Sequence, residues 1–294
     1  MNFTYSFIIP HHNNPDLLNR LISTIPQRQD IEIVIVDDNS DDDKKPVNLR
    51  EDCRIFFIGP DETKGAGKAR NLGMEKARGK WFLFADSDDI YEKNFIDTLD
   101  EFSSRDNLDI LYYDVFYTWD LETKTERWPQ RYSSAISNYL KSGNSKYWLL
   151  MVKHVIQGPW NFMIRAEYVR SINALYDEVP KGNDAYFHHY VAMNTDRCAV
   201  TDKKLYYWLW SDSGLTHQTR SKNYYLSSIK HSARLINMRV AAGAWDTIPA
   251  FYKGFSKVIK EHGLLFACHY IGLKFFSGVP WLKIWLHQKF DRKE

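Results

Sequence analysis

Cysteine is scarce in this chain of 294 residues, and neither sign of charge predominates. The three cysteines, at positions 53, 198 and 268, lie far apart and lack the paired spacing of a thiolate zinc site. So few thiols indicate a reducing compartment and not a disulfide-stabilised secreted fold. The net charge of +2 gives no support to a nucleic-acid partner or a strongly acidic one, so we expect no nucleic acid.

A secretory signal is also missing from the N-terminus, which reads MNFTYSFIIPHHNN. The stretch has no basic region, no long apolar core and no small-residue cleavage site, and its short apolar run predicts a first β-strand instead. We therefore expect the catalytic part of the protein to work in the cytoplasm.

The first hundred residues contain a regular alternation of two patterns. Short apolar runs predict strands at 5–9, 31–36, 54–58 and 80–85. Between them, segments 16–25 and 66–77 carry the apolar spacing and start signals of helices. Strand and helix alternating through short connections predict an α/β fold with a doubly wound sheet and right-handed crossovers.

Polar clusters follow the first, second and fourth of these strands, at residues 11–13, 37–40 and 86–89. In open α/β sheets ligands bind outside the carboxyl ends of the strands, so three clusters at one edge predict a site. The third cluster, Asp-Ser-Asp-Asp, suits a hard divalent cation, which takes oxygen ligands. The alternative is a solvated loop in which Asp86 or Ser87 caps the next helix.

Two further segments carry weaker signals. DDNSDDD at 37–43 does not fit a calcium-binding loop, because its sixth position is Asp42 and not glycine, and residues 41–43 are expected in a solvated turn. KGAGKARNLG at 64–73 places glycines at a helix start, where backbone N–H groups can bind phosphate. It matches neither the dinucleotide-binding pattern nor the P-loop, so the plain alternative is a helix start with solvated lysines.

Taken in order, FIIPHHN, IVIVDDNS, GAGKARNLG and WFLFADSDDIYEKNF resemble the catalytic domain of the family 2 glycosyltransferases. The resemblance covers roughly residues 5–215 and is strongest over the first hundred. It implies the GT-A fold, a doubly wound mixed sheet flanked by helices, here with a helical C-terminal extension. It also implies a nucleotide-sugar donor, usually a UDP-sugar, with Mg²⁺ or Mn²⁺, and inversion at the anomeric carbon.

The resemblance assigns roles to five residues of the donor site. Pro10 and His12 would shape the nucleoside pocket, and Asp38 would contact the base. Asp86 would lie near the ribose and donor sugar, while Asp88 would bind the metal that bridges the diphosphate. Many family members carry an aromatic residue at the position of His12, although an imidazole can also stack on a uracil ring.

Four further residues, Arg70, Asp184, His217 and Arg220, take their roles from the resemblance. Arg70 would support the donor site, or alternatively pair with the aspartates. The stretch KGNDAYFHHY matches the family's Glu-Asp pair, so Asp184 is the candidate catalytic base, Asn183 replaces the glutamate, and a helix N-cap is the alternative for Asp184. His217 would contact the metal or diphosphate from a late loop, assisted by Arg220, with an ordinary surface histidine as the alternative.

Some aromatic and histidine residues of the second half leave their roles open. Trp160 and Asn161 resemble a family segment beside the acceptor site, but a core position for Trp160 fits the sequence equally well. His188 and His189 are adjacent on a predicted helix and therefore point to different faces, so a shared metal site is not expected.

The sequence predicts a catalytic domain at 1–221, with a nucleotide-binding half at about 1–105 and an acceptor half at about 106–221. Residues 222–294 form a helical C-terminal segment rich in basic and aromatic side chains. Within 251–294 eight basic residues face three acidic ones, a net of 8 − 3 = +5. Such a composition favours peripheral contact with an anionic membrane, and the alternatives are packing on the catalytic domain or a contact in a homo-oligomer.

The leading interpretation is a metal-dependent inverting glycosyltransferase that moves a sugar from a UDP-sugar to a saccharide or lipid-linked acceptor. We expect it to serve bacterial surface polysaccharide or lipooligosaccharide synthesis at the inner face of the cytoplasmic membrane. One alternative is a catalytically inactive, transferase-like membrane scaffold. Another is a sugar nucleotidyltransferase, although those enzymes typically carry a glycine-rich loop after the first strand, where this chain reads PHHNNPD.

Overall fold

The computed structural model describes residues 3–59, 65–118, 130–155, 158–179, 182–209, 220–250, 252 and 254–291. The chain divides into two compact units, Met1–Trp210 and Ser211–Glu294. His217, a predicted site residue, lies outside the described residues.

An eight-stranded mixed sheet forms the centre of the first unit. Its strands are β1 (Tyr5–His11), β2 (Ile31–Asp37), β3 (Cys53–Phe57), β4 (Trp81–Phe84), β5 (Ile90–Tyr91), β6 (Ile110–Thr118), β7 (Phe162–Arg165) and β8 (Cys198–Leu209). They lie in the order β3-β2-β1-β4-β7-β6-β8-β5. Strands β1 to β4 are mutually parallel, β7 runs antiparallel to both of its neighbours, and β8 pairs parallel with β6 and antiparallel with β5.

Among the described residues of this unit, seven α-helices flank the sheet. They are α1 (Pro15–Thr24), α2 (Ala66–Lys76), α3 (Phe95–Ser103), α4 (Gln130–Lys141), α5 (Lys146–Val155), α6 (Ala166–Ser171) and α7 (Asn183–Met193). The predicted α/β fold with a mixed sheet flanked by helices is confirmed.

The central strands are buried on both faces, which explains their continuous apolar runs. Successive residues of β1 enter opposite cores, because side chains alternate along a strand. Phe7 and Ile9 pack with α1 and α3, while Ile8 packs with residues of α2 and α4 to α7. The two cores hold the sheet rigidly, and with it the loops at the carboxyl ends of its strands.

The second unit is helical, as the sequence predicts. It contains α8 (Lys222–Ala241), α9 (Phe255–His262), α10 (Leu264–Phe275) and α11 (Trp281–Leu286), with a 3₁₀ turn at Trp245–Thr247 and a π-helical turn at His287–Asp291. Its two cores are small. One gathers around Trp281 and Ile284, the other around Tyr225 and Val258. Among the described residues no helix is both long and apolar enough to cross a bilayer.

Candidate functional site

The polar clusters meet at one edge of the sheet, as the strand pattern predicts. Strands β1, β2 and β4 are parallel, and His11 at the end of β1 lies in register with Asp37 at the end of β2. The turn that carries Asp86 and Asp88 follows β4 directly. This edge, where parallel strands present their carboxyl ends, is the candidate site.

Asp37, the first carboxylate after β2, stabilises the loop itself. It is buried, and its Oδ1 accepts hydrogen bonds from the His11 ring at 2.8 Å and from the Ser40 hydroxyl at 2.6 Å. The Nε2 atom of His11 accepts a bond from the backbone N–H of Asn14, so its Nδ1 carries the proton that Asp37 receives. Its Oδ2 accepts a further bond of 3.1 Å from the backbone N–H of Ser40, so both oxygens of this carboxylate are bonded within the protein.

Asp38, next along the chain, has a different environment. Its Oδ2 accepts a hydrogen bond of 2.7 Å from the backbone N–H of Gly65, the N-cap of α2. Gly65 has φ near +127°, a conformation that glycine adopts without strain. The other oxygen of Asp38 is buried without a hydrogen-bond partner among the described residues. It therefore has a lone pair ready to accept a bond from a ligand.

His12 lies beside Asp38 in an exposed position. Its Nδ1–H donates to the Asp38 backbone carbonyl at 2.8 Å, which fixes the orientation of the ring. Pro10 is partly exposed on β1 at the same edge. The three residues predicted to bind the nucleoside thus lie on adjacent strand ends.

Arg70, on α2, connects the aspartate turn to α7. The guanidinium is buried and donates to Asp86 Oδ1 at 2.6 Å and to Asn183 Oδ1 at 2.9 Å. Its carbon lies 5.3 Å from the centre of the Tyr176 ring. Pairing with an aspartate, the alternative considered from sequence, is therefore observed. The position also places the arginine where it would support a donor.

Asp88 is the exposed carboxylate of the turn. Arg20 donates to its backbone carbonyl at 2.6 Å, not to its side chain. Partial loss of hydration in the surrounding protein, together with the negative charge of Asp86, raises the pKa of Asp88 to about 6. Two neighbouring carboxylates of which one faces solvent form a site where a cation would relieve repulsion.

Asp89, the third carboxylate, anchors the turn. It is buried, and accepts a bond of 2.8 Å from the Tyr206 hydroxyl and one of 2.7 Å from the backbone N–H of Leu209. Tyr206 also accepts a bond from the backbone N–H of Asp86. The next helix, α3, has Asn94 at its N-cap, so the alternative that Asp86 or Ser87 caps it is wrong. Asp89 ties the turn to β8.

Asp184 lies in the first turn of α7 beside Asn183. Gly182, with φ near +75°, occupies the N-cap of this helix, so the N-cap alternative for Asp184 is wrong. Burial raises the pKa of Asp184, Asp86 raises it further, and Arg70 acts in the opposite direction. A carboxylate with a raised pKa, close enough to Asp86 to feel its charge, has the properties of a general base.

A divalent cation fits the donor set at the turn. Among the described residues no three histidine, cysteine or carboxylate side chains converge into a complete ligand set. Asp88 offers exposed oxygen atoms beside a second carboxylate, and hard cations such as Mg²⁺ characteristically take one or two carboxylates plus substrate phosphates and water. The residues present therefore suit an ion whose shell a bound diphosphate completes.

Trp160 and Asn161 are buried. The Trp160 ring stacks on Tyr206, with 5.8 Å between ring centres, and lies in the core under α1 and α3. Asn161 donates to the Tyr132 hydroxyl at 3.0 Å. The core alternative for Trp160 is thus confirmed, and the indole is not exposed for stacking on an acceptor sugar.

His188 and His189 have separate partners, as their adjacency on a helix predicts. His188 Nε2 bonds the Lys153 carbonyl at 2.8 Å, and His189 Nδ1 lies 2.8 Å from His154 Nδ1. His217 is outside the described residues, so its contact with metal or diphosphate stays a prediction. The guanidinium of Arg220 lies 4.8 Å from the centre of the Tyr224 ring, within the second unit.

Sequence patterns gave no indication of three residues that organise the site, namely Tyr206, Tyr176 and Arg20. Tyr206 lies 117 positions from its partner Asp89. The pairing of β5 with β8 places Tyr206 opposite Tyr91, two residues after Asp89. The aromatic end of β8, LYYWL, carries no local signal that one of its hydroxyls supports the turn that carries Asp86, Asp88 and Asp89.

Comparison with known proteins places the chain in a family. The model of the family described as Glycosyl transferase family 2 matches residues 6–172, more than half of the chain. Glycosyltransferase GlyG of Streptococcus pneumoniae is 29% identical over 125 residues, which cover 41% of each protein. The GalNAc(5)-diNAcBac-PP-undecaprenol beta-1,3-glucosyltransferase of Campylobacter jejuni is 36% identical over 100 residues, 32% of each.

A solved structure shares the fold. Residues 1–349 of S. aureus TarS, crystallised with UDP-GlcNAc, superpose with a TM-score of 0.60 and 20% identity, covering 80% of this chain and 66% of that one. The matches to GlyG and to the Campylobacter glucosyltransferase each cover less than half the length of those two proteins. The aspartate turn at the end of β4 lies within the matched region, and on this match the chain belongs to glycosyl transferase family 2.

Proposed function

We propose that this protein is a metal-dependent inverting glycosyltransferase that uses a UDP-sugar donor. The acceptor is a saccharide or lipid-linked saccharide of bacterial surface polysaccharide synthesis, and the protein works at the cytoplasmic face of the membrane. The observation that carries the proposal is the Arg70 bridge, which links Asp86 of the aspartate turn to Asn183, the neighbour of Asp184. The buried guanidinium of Arg70 thereby connects one donor-side carboxylate to the residue next to the candidate base.

The donor end of the site has the groups that a uridine needs. The buried oxygen of Asp38 that lacks a partner can accept a hydrogen bond from the imide N–H of uracil. The imidazole ring of His12 lies beside Asp38 and can stack on the uracil ring. Its hydrogen bond to the backbone carbonyl of Asp38 fixes its orientation. The crystallised TarS fragment binds UDP-GlcNAc, which supports the same donor class for this chain.

The diphosphate end is acidic, so a diphosphate needs a divalent cation to bind there. Asp88 would hold Mn²⁺ or Mg²⁺ with its exposed carboxylate, and His217 is the further predicted ligand. Such an ion would neutralise charge that develops on the leaving diphosphate. Asp86, kept in place by Arg70 at 2.6 Å, would face the ribose and donor sugar.

Asp184 would act as the base. In a single displacement the acceptor oxygen attacks the anomeric carbon, its proton passes to the Asp184 carboxylate, and the bond to the diphosphate breaks with inversion. The raised pKa of Asp184, caused chiefly by burial, strengthens it as a proton acceptor. The positive charge of Arg70 opposes this rise in pKa.

We infer the class of acceptor from the names of related proteins. The Campylobacter relative is named for transfer to an undecaprenol-linked saccharide, and such a lipid-linked acceptor is the one we propose here. The buried Trp160 does not line an exposed acceptor surface, so the acceptor contacts must come from other residues.

Calorimetric titration of UDP, with and without Mn²⁺, tests the donor site. We expect the wild-type chain to bind UDP only with the metal, and Asp88→Ala to abolish that binding. The matched control is Asp43→Ala, which removes an exposed aspartate from the other acidic run and is expected to bind as the wild type does.

Three results would contradict the proposal or narrow it. Binding of UDP that does not depend on metal would refute the role of Asp88. No binding of UDP with metal present would exclude a UDP-sugar donor. Metal-dependent binding without hydrolysis or transfer of any UDP-sugar, on any acceptor offered, would favour the inactive scaffold.

A further inference from the structure

Most of the exposed large apolar side chains of the described residues lie in the second unit. Of the fourteen exposed large hydrophobic side chains among the described residues, nine lie between positions 252 and 286. Six of them define what we call the α10–α11 surface. They are Leu265, Phe275, Phe276, Leu282, Trp285 and Leu286. Contiguous exposed apolar patches of this kind mark interaction sites.

These side chains are arranged on helix faces. On α10 the exposed Leu265 and Cys268 share a face with Gly272, and Phe276 continues it, at spacings of three, four and four residues. Leu265 is 89% exposed and Phe276 84%. A Cβ atom added at Gly272 would meet no described atom within 4 Å, so at this position the face is open.

The second helix continues the surface. Leu282, Trp285 and Leu286 lie on the exposed side of α11, while Trp281 and Ile284 on the opposite side are buried. A shallow cavity of about 420 Å³ between the two helices is lined by Phe275, Leu282 and Leu286 among others. The cavity shows that the exposed side chains of α10 and α11 are neighbours.

Charge on this segment has one sign. Between Glu261 and Asp291 there is no acidic residue, whereas the same stretch contains three lysines. Lys283 and Lys289 are exposed, and the ammonium groups of Lys274 and Lys289 lie over the Trp281 and Trp285 rings at 5.6 and 4.7 Å. Lysines with aromatic and aliphatic side chains on an exposed helix face are typical of segments that lie in the headgroup region of a membrane.

We propose that the α10–α11 surface docks on an anionic phospholipid bilayer, lying in its interface without crossing it. Helix α10 has twelve residues and is about 18 Å long, well short of the roughly 30 Å hydrocarbon core. A second copy of the chain is the less favoured occupant. An isologous contact would bring together two copies of a stretch that contains lysines and, between Glu261 and Asp291, no acidic residue, whereas an anionic membrane surface complements the lysines.

Vesicle co-sedimentation of the full chain tests this proposal and needs no catalytic activity. We expect binding to vesicles of phosphatidylglycerol mixed with phosphatidylcholine, weaker binding as salt rises, and little binding to phosphatidylcholine alone. Replacing Leu265 and Phe276 together by serine should weaken binding by about tenfold or more, because two apolar anchors are lost. Replacing Lys283 and Lys289 together by alanine should weaken it by about tenfold to thirtyfold.

A matched pair of substitutions provides the control. Leu286→Ser changes a side chain of the α10–α11 surface that is 41% exposed, and Leu140→Ser changes one on α4 that is 42% exposed. Only Leu286→Ser should weaken vesicle binding. Because all the replaced side chains are exposed, each variant should keep the wild-type circular dichroism spectrum and melting temperature to within a few degrees.

Two outcomes would overturn the proposal. One is failure of the wild-type chain to bind anionic vesicles at low salt. The other is binding that persists unchanged in the Leu265→Ser, Phe276→Ser double variant, because the contact would then lie elsewhere. Sedimentation velocity without lipid tests whether a second copy of the chain covers the surface. If the wild-type chain forms dimers that Phe276→Ser dissociates, and does not bind vesicles, the surface is assigned to a second copy.

Discussion

At the scale of single residues, the carboxylate of Asp88, which is the proposed metal ligand, lowers the stability of the folded protein. Its carboxylate lies beside Asp86, and crowding by the protein together with that charge raises its pKa to about 6. The unfolded chain has no such neighbour, so an aspartate there keeps a pKa near 3.9. Above pH 6 the folded protein therefore carries an unfavourable repulsion that the unfolded chain lacks.

Replacing this carboxylate should stabilise the protein. We expect Asp88→Asn to raise the free energy of unfolding by about 1 kcal/mol at pH 8, after allowance for solvent screening. Since the folded pKa is the higher one, the gain should shrink as pH falls through 6 and vanish below about 4, where both states are protonated. Urea denaturation at pH 8 and pH 4 measures it, and a gain that is equal at both pH values would refute the charge explanation.

Asp184 provides the second prediction at this scale. Asp184→Asn should lower kcat for hydrolysis of the donor by about a hundredfold or more, because the base is lost. Metal-dependent UDP binding should stay unchanged. Since burial raises the pKa of Asp184, the wild-type kcat/KM should fall with decreasing pH at values above the ordinary aspartate range. A loss of UDP binding in the variant would instead assign Asp184 to the donor site.

Sequence reasoning located the carboxylates of this site, and the family resemblance assigned roles to Asp38, Asp86 and Asp88, but no local pattern showed which side chains bind Asp37 and Asp89. Asp37 and Asp38 are adjacent, yet the first binds His11 and Ser40 while the second keeps a free oxygen. In the same way Asp89 is engaged by Tyr206, more than a hundred positions away, and Asp88 is exposed. Residues distant in sequence determine which carboxylates are bonded within the protein and which can bind a ligand. A local sequence pattern does not show these distant partners.

At the scale of elements, α2 packs on the sheet through a glycine. A Cβ atom added at Gly73 would lie 2.4 Å from Cγ2 of Ile8 on β1, so the helix could not approach so closely with any larger residue. The same helix carries Arg70 and begins at the Asp38 contact. Its distance from β1 therefore sets the positions of both groups.

Gly73→Ala should destabilise the protein, although alanine is the better helix former. We expect a loss of about 1–3 kcal/mol in the free energy of unfolding, because the methyl group overpacks the contact with Ile8. Gly272→Ala is the matched control. It lies inside α10 with open space around it and should be neutral or stabilising by about 0.5–1 kcal/mol. Thermal melting of both variants measures the difference, and equal effects would show that α2 can move aside.

Elements with strong local signals were predictable, and those defined by their partners were not. The apolar runs of β1, β2 and β4 are continuous because these strands are buried on both faces. Strand β5 has only two residues and β7 only four, and they are strands because β8 and β4 pair with them. No periodicity develops over so few positions.

At the scale of the whole molecule, the two units differ in the size of their cores. The two large cores of the first unit each contain more than twenty buried residues, and a third cluster there contains three. The cores of the second unit contain six and three. Because burial of apolar surface is the main favourable contribution to folding, the second unit should be much the less stable.

Hydrogen exchange measured by mass spectrometry tests this difference. Amides of α9, α10 and α11 should exchange well before those of β1, β2 and β4, since local opening of the second unit costs less. Exchange of both sets at one common rate would contradict the prediction and would show that the chain opens as a single cooperative unit.

The buried Asp89 has a consequence for any attempt to recombine family members. The turn that carries it belongs to the predicted nucleotide-binding half, while Tyr206 and Leu209, which donate hydrogen bonds to it, belong to the predicted acceptor half. A chimaera that joins the donor half of this chain to another relative's acceptor half would keep every predicted donor residue of positions 1–105. Unless that acceptor half supplies a hydroxyl and a backbone N–H at the same two places, a buried carboxylate is left unsatisfied, and donor specificity cannot be exchanged as a module.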